Sequence, residues 1–153
     1  MKVAEIPLNE KDRLEALRQY SILDSMPERD FDDITKLASQ ICDVPTSLIT
    51  LLDTNRQWFK SRFGFAEKET SRDIAFCAHA INQPGELMIV PDAKRDERFR
   101  DNPLVTGGPN IGFYAGMPLT DGNGYAFGTL CVLDNKPREL DQTQSDSLKA
   151  LSN

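Results

Sequence analysis

The sequence predicts an α+β fold, in which an antiparallel sheet carries helices on both of its faces. Residues 125–133 form a run that is apolar on both sides, so this strand needs cover on both faces of the sheet. The turn at residues 121–124, with the sequence DGNG, joins this run to the preceding one as a tight hairpin, which makes the two strands antiparallel. Segments with helical spacing at both ends of the chain supply the covering helices.

Four helices follow from the spacing of apolar residues. The first begins near Asn9 and places Leu14, Leu17 and Tyr20 along one stripe. The same kind of spacing predicts the other three helices at residues 30–42, 74–82 and 141–151.

Five strands follow from runs of β-branched and aliphatic residues. They are residues 46–52, 57–63, 87–90, 111–119 and 125–133. Because side chains alternate along a strand, the last one is predicted to place Phe127 and Leu133 on one face and Leu130 and Val132 on the other.

A long polar segment separates the third strand from the fourth. Residues 92–109 contain three apolar anchors, Phe99, Leu104 and Val105. Ordered connections of this length are uncommon in compact domains unless they are functional. We therefore expect this segment to close over a pocket for a small molecule.

Length, charge and cysteine content limit the class of protein. The 153 residues correspond to one domain, placed at residues 9–153 after an N-terminal tail of residues 1–8. The net charge of −6 repels phosphate, so nucleic acid is not an expected partner. The sequence has neither an apolar run of membrane-spanning length nor the apolar stretch of a signal peptide. Three irregularly spaced cysteines indicate reduced thiols, and with them a cytoplasmic location.

Candidate catalytic and metal-binding residues are few. Cys77 and His79 are the only close Cys/His pair, and side chains two residues apart on a helix point about 200° apart. We therefore expect a buried thiol and a surface imidazole rather than a shared metal or a catalytic dyad. No phosphate-binding loop and no nucleophile elbow is recognisable.

Six sequence blocks together resemble those of a known family. They are WFKS at 58–61, DIAFCAHAI at 73–81, VPDA at 90–93, RF and NPLV within 98–105, FYAGMPL at 113–119 and GTLCVLD at 128–134. In this order and spacing they resemble the GAF domain of bacterial signalling proteins, of the sensor histidine kinase or diguanylate cyclase type. The resemblance extends from about Asn9 to Leu151.

The resemblance implies a fold, a pocket and a role. The fold would be an antiparallel sheet of five or six strands, with the first and last helices on one face and a ligand pocket on the other. The expected ligand-binding residues are Phe76, Cys77, Asp92, Phe99, Val105, Phe113, Tyr114 and Cys131. The role would be non-catalytic sensing of an unidentified small molecule, with a kinase or cyclase domain downstream in a longer chain.

Several features of the family are absent here. The family pattern has Arg between Ile111 and Phe113, the first residue of the FYAGMPL block, whereas this chain has Gly112, so a contact with an anionic ligand would be lost. The adjacent Cys-His pair of bilin-binding members and the signature of cyclic-nucleotide phosphodiesterases are not found, and the cofactor stays unknown.

Two alternative functions stay open at this level. One is a thiol-based free methionine sulfoxide reductase on the same fold, using Cys77 or Cys131. The other is a dimerisation module that binds no ligand. For dimerisation we expect the terminal helices to lie side by side and to leave apolar residues exposed to a second copy. These residues are Leu14, Leu17, Leu148 and Leu151.

Overall fold

The computed structural model describes residues 1–153 and contains five α-helices and one sheet. The helices are α1 (Glu10–Gln19), α2 (Arg29–Cys42), α3 (Cys77–Ala80), α4 (Pro103–Thr106) and α5 (Gln142–Leu151). The strands are β1 (Thr46–Leu52), β2 (Arg56–Phe63), β3 (Glu69–Ser71), β4 (Met88–Val90), β5 (Phe113–Thr120) and β6 (Ala126–Asp134). Two 3₁₀ turns lie at Arg72–Ile74 and Ala93–Arg95. None of the helices has the combination of length and apolar composition that a membrane crossing requires.

All neighbouring strands are antiparallel, in the order β3-β2-β1-β6-β5-β4. The central pair is β1 and β6, with Thr46 opposite Leu133 and Leu51 opposite Gly128. Every residue of β6 is buried, as its apolar sequence on both faces predicts. The predicted α+β fold with an antiparallel sheet is confirmed, with six strands.

Two apolar layers, one on each face of the sheet, form the core. On one side, here called the helical face, Ile49 and Val132 pack with Leu148 of α5. The opposite side is covered by residues 72–83 and 92–107, which are together called the cap. The long polar segment of the sequence is thus half of the cap and contributes to the second layer.

The predicted pair Phe127 and Leu133 do not share a face of β6. The pairing of β5 with β6 shifts register next to the connecting turn. Phe127 packs with Leu17 of α1, whereas Leu133 belongs to the cluster under the cap. The prediction was wrong because a β-bulge inserts one residue and reverses the simple alternation of side chains.

Three short elements also differ from the prediction. The helix expected at residues 74–82 is limited to α3, because Ala75 is extended (φ −76°, ψ 124°) and separates α3 from the preceding 3₁₀ turn. Strand β3 and helix α4 were not predicted, since three or four residues are too few to show a period.

The terminal helices both pack on the helical face, as predicted, but their leucines neither meet each other nor stay exposed as a group. Leu17 and Leu148 are fully buried, and they lie in two separate clusters. Leu148 packs near Cys42 of α2, whereas Leu17 packs against the sheet. Each helix uses its narrow apolar stripe for the core, so neither Leu17 nor Leu148 is left for a partner. Exposed apolar side chains on this side include Leu37 and Ile41 of α2, which are 45% and 38% exposed.

Candidate functional site

Most of the predicted pocket residues lie in one buried cluster between the sheet and the cap. Six of the eight belong to it, each at most 3% exposed. They are Phe76, Cys77, Phe99, Val105, Tyr114 and Cys131. That these six bind a ligand stays a prediction.

The other two predicted residues, Asp92 and Phe113, lie outside this cluster. Phe113 and Tyr114 are neighbours in β5, so their side chains point to opposite faces, and Phe113 packs on the helical face. Asp92 follows β4, where its carboxylate accepts a hydrogen bond from the Lys94 backbone (3.2 Å) and pairs with Arg95 (3.6 Å). Neither side chain belongs to the layer in which the other six meet.

Aromatic rings join the two halves of the cap to each other and to the sheet. Phe76, just before α3, stacks on Phe99 with ring centroids 3.9 Å apart and planes 7° apart. The Phe76 ring also contacts Tyr114 of β5, at 5.2 Å between centroids. These rings form an apolar wall above the sheet.

A set of neutral polar side chains, here called the polar row, lies at the sheet side of this cluster: Thr50, Gln57, Thr70, Tyr114 and Thr129. The hydroxyls of Thr50 and Thr129 are 3.2 Å apart, and the Tyr114 hydroxyl is 3.4 Å from that of Thr129. Gln57 donates to the Thr70 hydroxyl (2.9 Å) and accepts from the Cys77 thiol. The polar groups of the row are therefore satisfied by one another, by the thiol and by backbone groups of Ser71 and Thr129.

The space between the polar row and the cap is nearly filled. Its cavity has a volume of about 20 Å³ and is lined mainly by apolar side chains, among them Phe76, Leu104 and Ile111. Such a volume holds about one water molecule. A ligand larger than water therefore needs the cap to move.

Burial keeps the ionisable groups of this interior uncharged. Desolvation raises the pKa of the Cys77 thiol from 9.0 to about 12. It also raises the pKa of Cys131 and places the pKa of Tyr114 well above 10.0. The thiols are therefore protonated at neutral pH, when they are weak nucleophiles. No group of three or more His, Cys, Asp or Glu side chains is arranged to hold a metal ion.

A buried ionic network links α1 to the base of the cap. Arg13, 1% exposed, pairs with Glu10 and donates to the carbonyls of Leu52 (2.9 Å) and Ala126 (3.3 Å). Glu10 also pairs with Arg72 (2.8 Å), which lies in the 3₁₀ turn that precedes α3. One carboxylate thus joins the first helix to the first half of the cap.

A larger cleft, of about 370 Å³, lies elsewhere, between β2 and the α1–α2 connection. Its central side chain is Lys60, whose ammonium is 2.7 Å from the Ser25 hydroxyl, 2.6 Å from the Met26 carbonyl and 2.5 Å from the Glu28 carboxylate. Because these groups already occupy the ammonium, we interpret Lys60 as the anchor of the connection rather than as a ligand-binding residue.

Gly112 lies where the backbone of the following connection passes closely. Its N–H donates to the Asp134 carbonyl (2.8 Å), and its own carbonyl accepts from Ala93 (2.8 Å). A Cβ atom at this position would lie 2.4 Å from the carbonyl oxygen of Asn135. The Arg of the family pattern therefore has no room on this backbone.

Sequence reasoning missed the polar row and the ionic network. A signal for the first existed, since Thr50 and Thr129 are polar residues flanked by apolar residues within buried strands. A signal for the second was absent, because Arg13 lies beside Leu14 in an ordinary amphipathic helix.

An antiparallel sheet with helices on one face and an irregular cap over a buried layer on the other is the arrangement that the six sequence blocks implied. The family model of the GAF domain matches residues 27–153. This chain belongs to the GAF family.

A curated relative and several solved structures are similar to this chain. The cyclic di-GMP phosphodiesterase PA2567 of Pseudomonas aeruginosa is 40% identical over 138 residues, which are 90% of this chain and 23% of that protein. The chain therefore spans about a quarter of that relative.

Among solved structures, the GAF domain of an Acinetobacter phosphoenolpyruvate-protein phosphotransferase has a TM-score of 0.64 at 19% identity, covering 93% of this chain and 87% of that one. The PixJ GAF domain of Thermosynechococcus elongatus has a TM-score of 0.66 at 14% identity, covering 97% and 86%. At these identities the structures show the shared fold.

Proposed function

We propose that this chain is a non-catalytic regulatory module of a bacterial signal-transduction protein, which binds a small molecule between the sheet and the cap and signals through its terminal helices. The observation that carries the proposal is the polar row beneath an apolar wall. Ligand sites typically combine apolar walls with a few placed polar groups. On binding, a ligand would exchange the hydrogen bonds within the row for bonds to itself.

The ligand that fits this interior is uncharged. The hydrogen-bonding groups available there are hydroxyls, an amide and a thiol, and no charged side chain lines the cavity. Moving an ion into such a layer without a partner costs far more than moving a neutral group. We infer an apolar or aromatic ligand that carries a few neutral hydrogen-bonding groups.

The effector would lie in another part of a longer chain. The name of the P. aeruginosa relative favours an effector that hydrolyses cyclic di-GMP, and a kinase or cyclase domain is the alternative that the sequence blocks imply. The Glu10 network supports a route for the signal, because it ties the cap to α1. Cyclic di-GMP itself carries two phosphates and does not suit the neutral interior.

Native mass spectrometry of the protein purified from its own host tests this proposal. We expect one neutral small molecule for each chain, released on denaturation, while added cyclic di-GMP leaves the melting temperature unchanged. Thr129→Val removes a hydroxyl of the polar row at nearly constant volume and is expected to reduce ligand retention. An empty chain, or cyclic di-GMP binding that Thr129→Val abolishes, would contradict the proposed ligand class.

A second candidate is a dimerisation module without a ligand. The cavity of about 20 Å³ favours it, as do the exposed side chains of Leu37 and Ile41. The same mass spectra separate the two candidates, because a dimeric and empty protein supports this one. Under either candidate we place the contact between copies on α2, since Leu14, Leu17 and Leu148, three of the four terminal-helix leucines first expected at this contact, are buried.

The reductase alternative makes a separate prediction. Because burial raises the pKa of Cys77 to about 12 and also raises that of Cys131, neither thiol supplies thiolate at neutral pH. With dithiothreitol as reductant, the wild type is expected to reduce free methionine sulfoxide no faster than the Cys77→Ser, Cys131→Ala double variant. Turnover that only the wild type shows would establish an enzyme and overturn the regulatory proposal.

A further inference from the structure

Residues 1–6, here called the strap, lie across the outer surface of the cap. The Lys2 N–H donates to the Arg98 carbonyl (3.1 Å), and the Lys2 carbonyl is 3.1 Å from His79 Nε2. The Asn82 amide donates to the Glu5 carbonyl (3.0 Å), and Ala4 packs against the cluster under the cap. The strap is therefore packed against the domain, although the sequence predicted an N-terminal tail outside it.

The contacts of the strap bridge the two halves of the cap. His79 and Asn82 belong to the first half, and Arg98 belongs to the second. The stacked rings of Phe76 and Phe99 form a second bridge directly beneath. Separating the halves to admit a ligand would break both bridges.

The strap is held mainly through its backbone. Three of its four polar contacts to the cap use backbone groups of Lys2 and Glu5, and the fourth is the ion pair of the Met1 ammonium with Asp101. The side chains of Val3 and Ile6 are 49% and 58% exposed. Little apolar side-chain surface of the strap is buried beyond that of Ala4. Such a segment detaches far more easily than a core element, because local openings follow the number of buried apolar contacts.

The strap continues within three residues into α1. That helix begins with Glu10, whose carboxylate holds Arg72 at the base of the first half of the cap. The start of α1 is therefore connected to the cap twice, through the chain and through the ion pair. A displacement of α1 along its axis pulls on both connections.

We propose that the strap is an intramolecular latch, which docks across both halves of the cap and keeps the interior closed until it is released. A ligand that needs the open cap then competes with the docked strap, and release of the strap frees the start of α1. The strap keeps the interior closed whether or not a ligand exists. Only the role of the strap in sensing rests on the proposed function.

The three native cysteines report on the latch without added probes. Cys77 and Cys131 lie under the cap, whereas Cys42 lies on the helical face among α2 and α5. All three are buried, so a thiol reagent reaches each one only when its own layer opens. Cys42 is therefore an internal control for global unfolding.

The experiment compares the N-ethylmaleimide labelling rates of the three thiols, resolved by peptide mass spectrometry. Deletion of residues 2–6 is expected to raise the rates of Cys77 and Cys131 about tenfold or more, with Cys42 unchanged. The double variant Lys2→Pro, Asn82→Ala removes two of the four polar contacts and is expected to act in the same direction. The matched control is Val3→Ser, which changes a half-exposed side chain of the strap and is expected to leave all rates unchanged.

Two outcomes would overturn the latch. One is an unchanged Cys77 rate in both variants. The other is an equal rise for Cys42, which would show loss of global stability instead of opening of the cap. A faster Cys77 rate in a protein that retains no ligand would support the latch and count against the proposed ligand, so the two proposals fail separately.

Discussion

Replacing Arg13 by alanine is expected to lower the free energy of unfolding by about 3–5 kcal/mol, the usual cost of breaking a buried ion pair on one side. The guanidinium of Arg13 is 1% exposed, and it pairs with Glu10 and holds the carbonyls of Leu52 and Ala126. Its removal leaves two backbone acceptors and part of a carboxylate without partners. Urea denaturation followed by circular dichroism measures the change.

The matched control is Arg18→Ala in the same helix, where the guanidinium makes one exposed contact with Thr54 (3.3 Å). This variant is expected to stay within about 0.5 kcal/mol of the wild type. Similar losses for both variants would show that the contribution comes from the charge of α1 and not from the buried network.

Lowering the pH tests the same network by protonating the Glu10 carboxylate. Burial raises the pKa of this carboxyl, but hydrogen bonds and attraction from Arg72 and Arg13 outweigh burial and hold the pKa below its ordinary value of 4.5. The ionised form is thus favoured by folding. Its contribution to stability is present above pH 4.5 and is lost as the pH falls through the lowered pKa of the folded state.

Gly128→Ala is expected to destabilise the fold by about 3 kcal/mol or more, at the upper end of the range for overpacked cores. A Cβ atom at this position would lie 1.7 Å from the carbonyl oxygen of Thr50, at the end of the central strand pair where Leu51 lies opposite Gly128. Relief requires a shift of backbone, since no flexible side-chain end is involved. Thermal and urea unfolding measure the loss.

Gly122→Ala serves as the control for that substitution. It adds the same methyl group in the β5–β6 turn, where no heavy atom lies within 4 Å. We expect a change of about 0.5 kcal/mol or less. A tolerated Gly128→Ala would mean that β1 and β6 are farther apart than the structure has them, which would also weaken the contact between Thr50 and Thr129.

The architecture was predictable because its strongest signals are local. The apolar run of β6 required two covered faces, and the turn next to Tyr125 required an antiparallel partner. The orientation of Phe127 was not predictable, because a bulge leaves no mark in the pattern of apolar residues. The cap was foreseen as a connection, but its packing depends on the contact between Phe76 and Phe99, which are far apart in sequence.

The candidate site was predictable in part. Once its block is placed on a strand, alternation alone excludes that Phe113 and Tyr114 line the same pocket, so this error was avoidable. Asp92 could not be judged from the sequence, since its direction depends on how the chain turns after β4. The interior is closed because the side chains under the cap nearly fill it. How completely side chains fill a space depends on their packing in three dimensions, which the order of residue types does not show.

The close approach at Gly112 limits how this domain can be recombined with others of its family. The Asn135 carbonyl occupies the space of a side chain at position 112, and the Asp134 carbonyl bonds to the Gly112 N–H. The two segments must therefore be exchanged together, although Gly112 and Asp134 are 22 positions apart in the sequence. A chimaera that imports an Arg-bearing segment must also import the matching residues after β6, and laboratory libraries that shuffle the two separately would be depleted of folded clones.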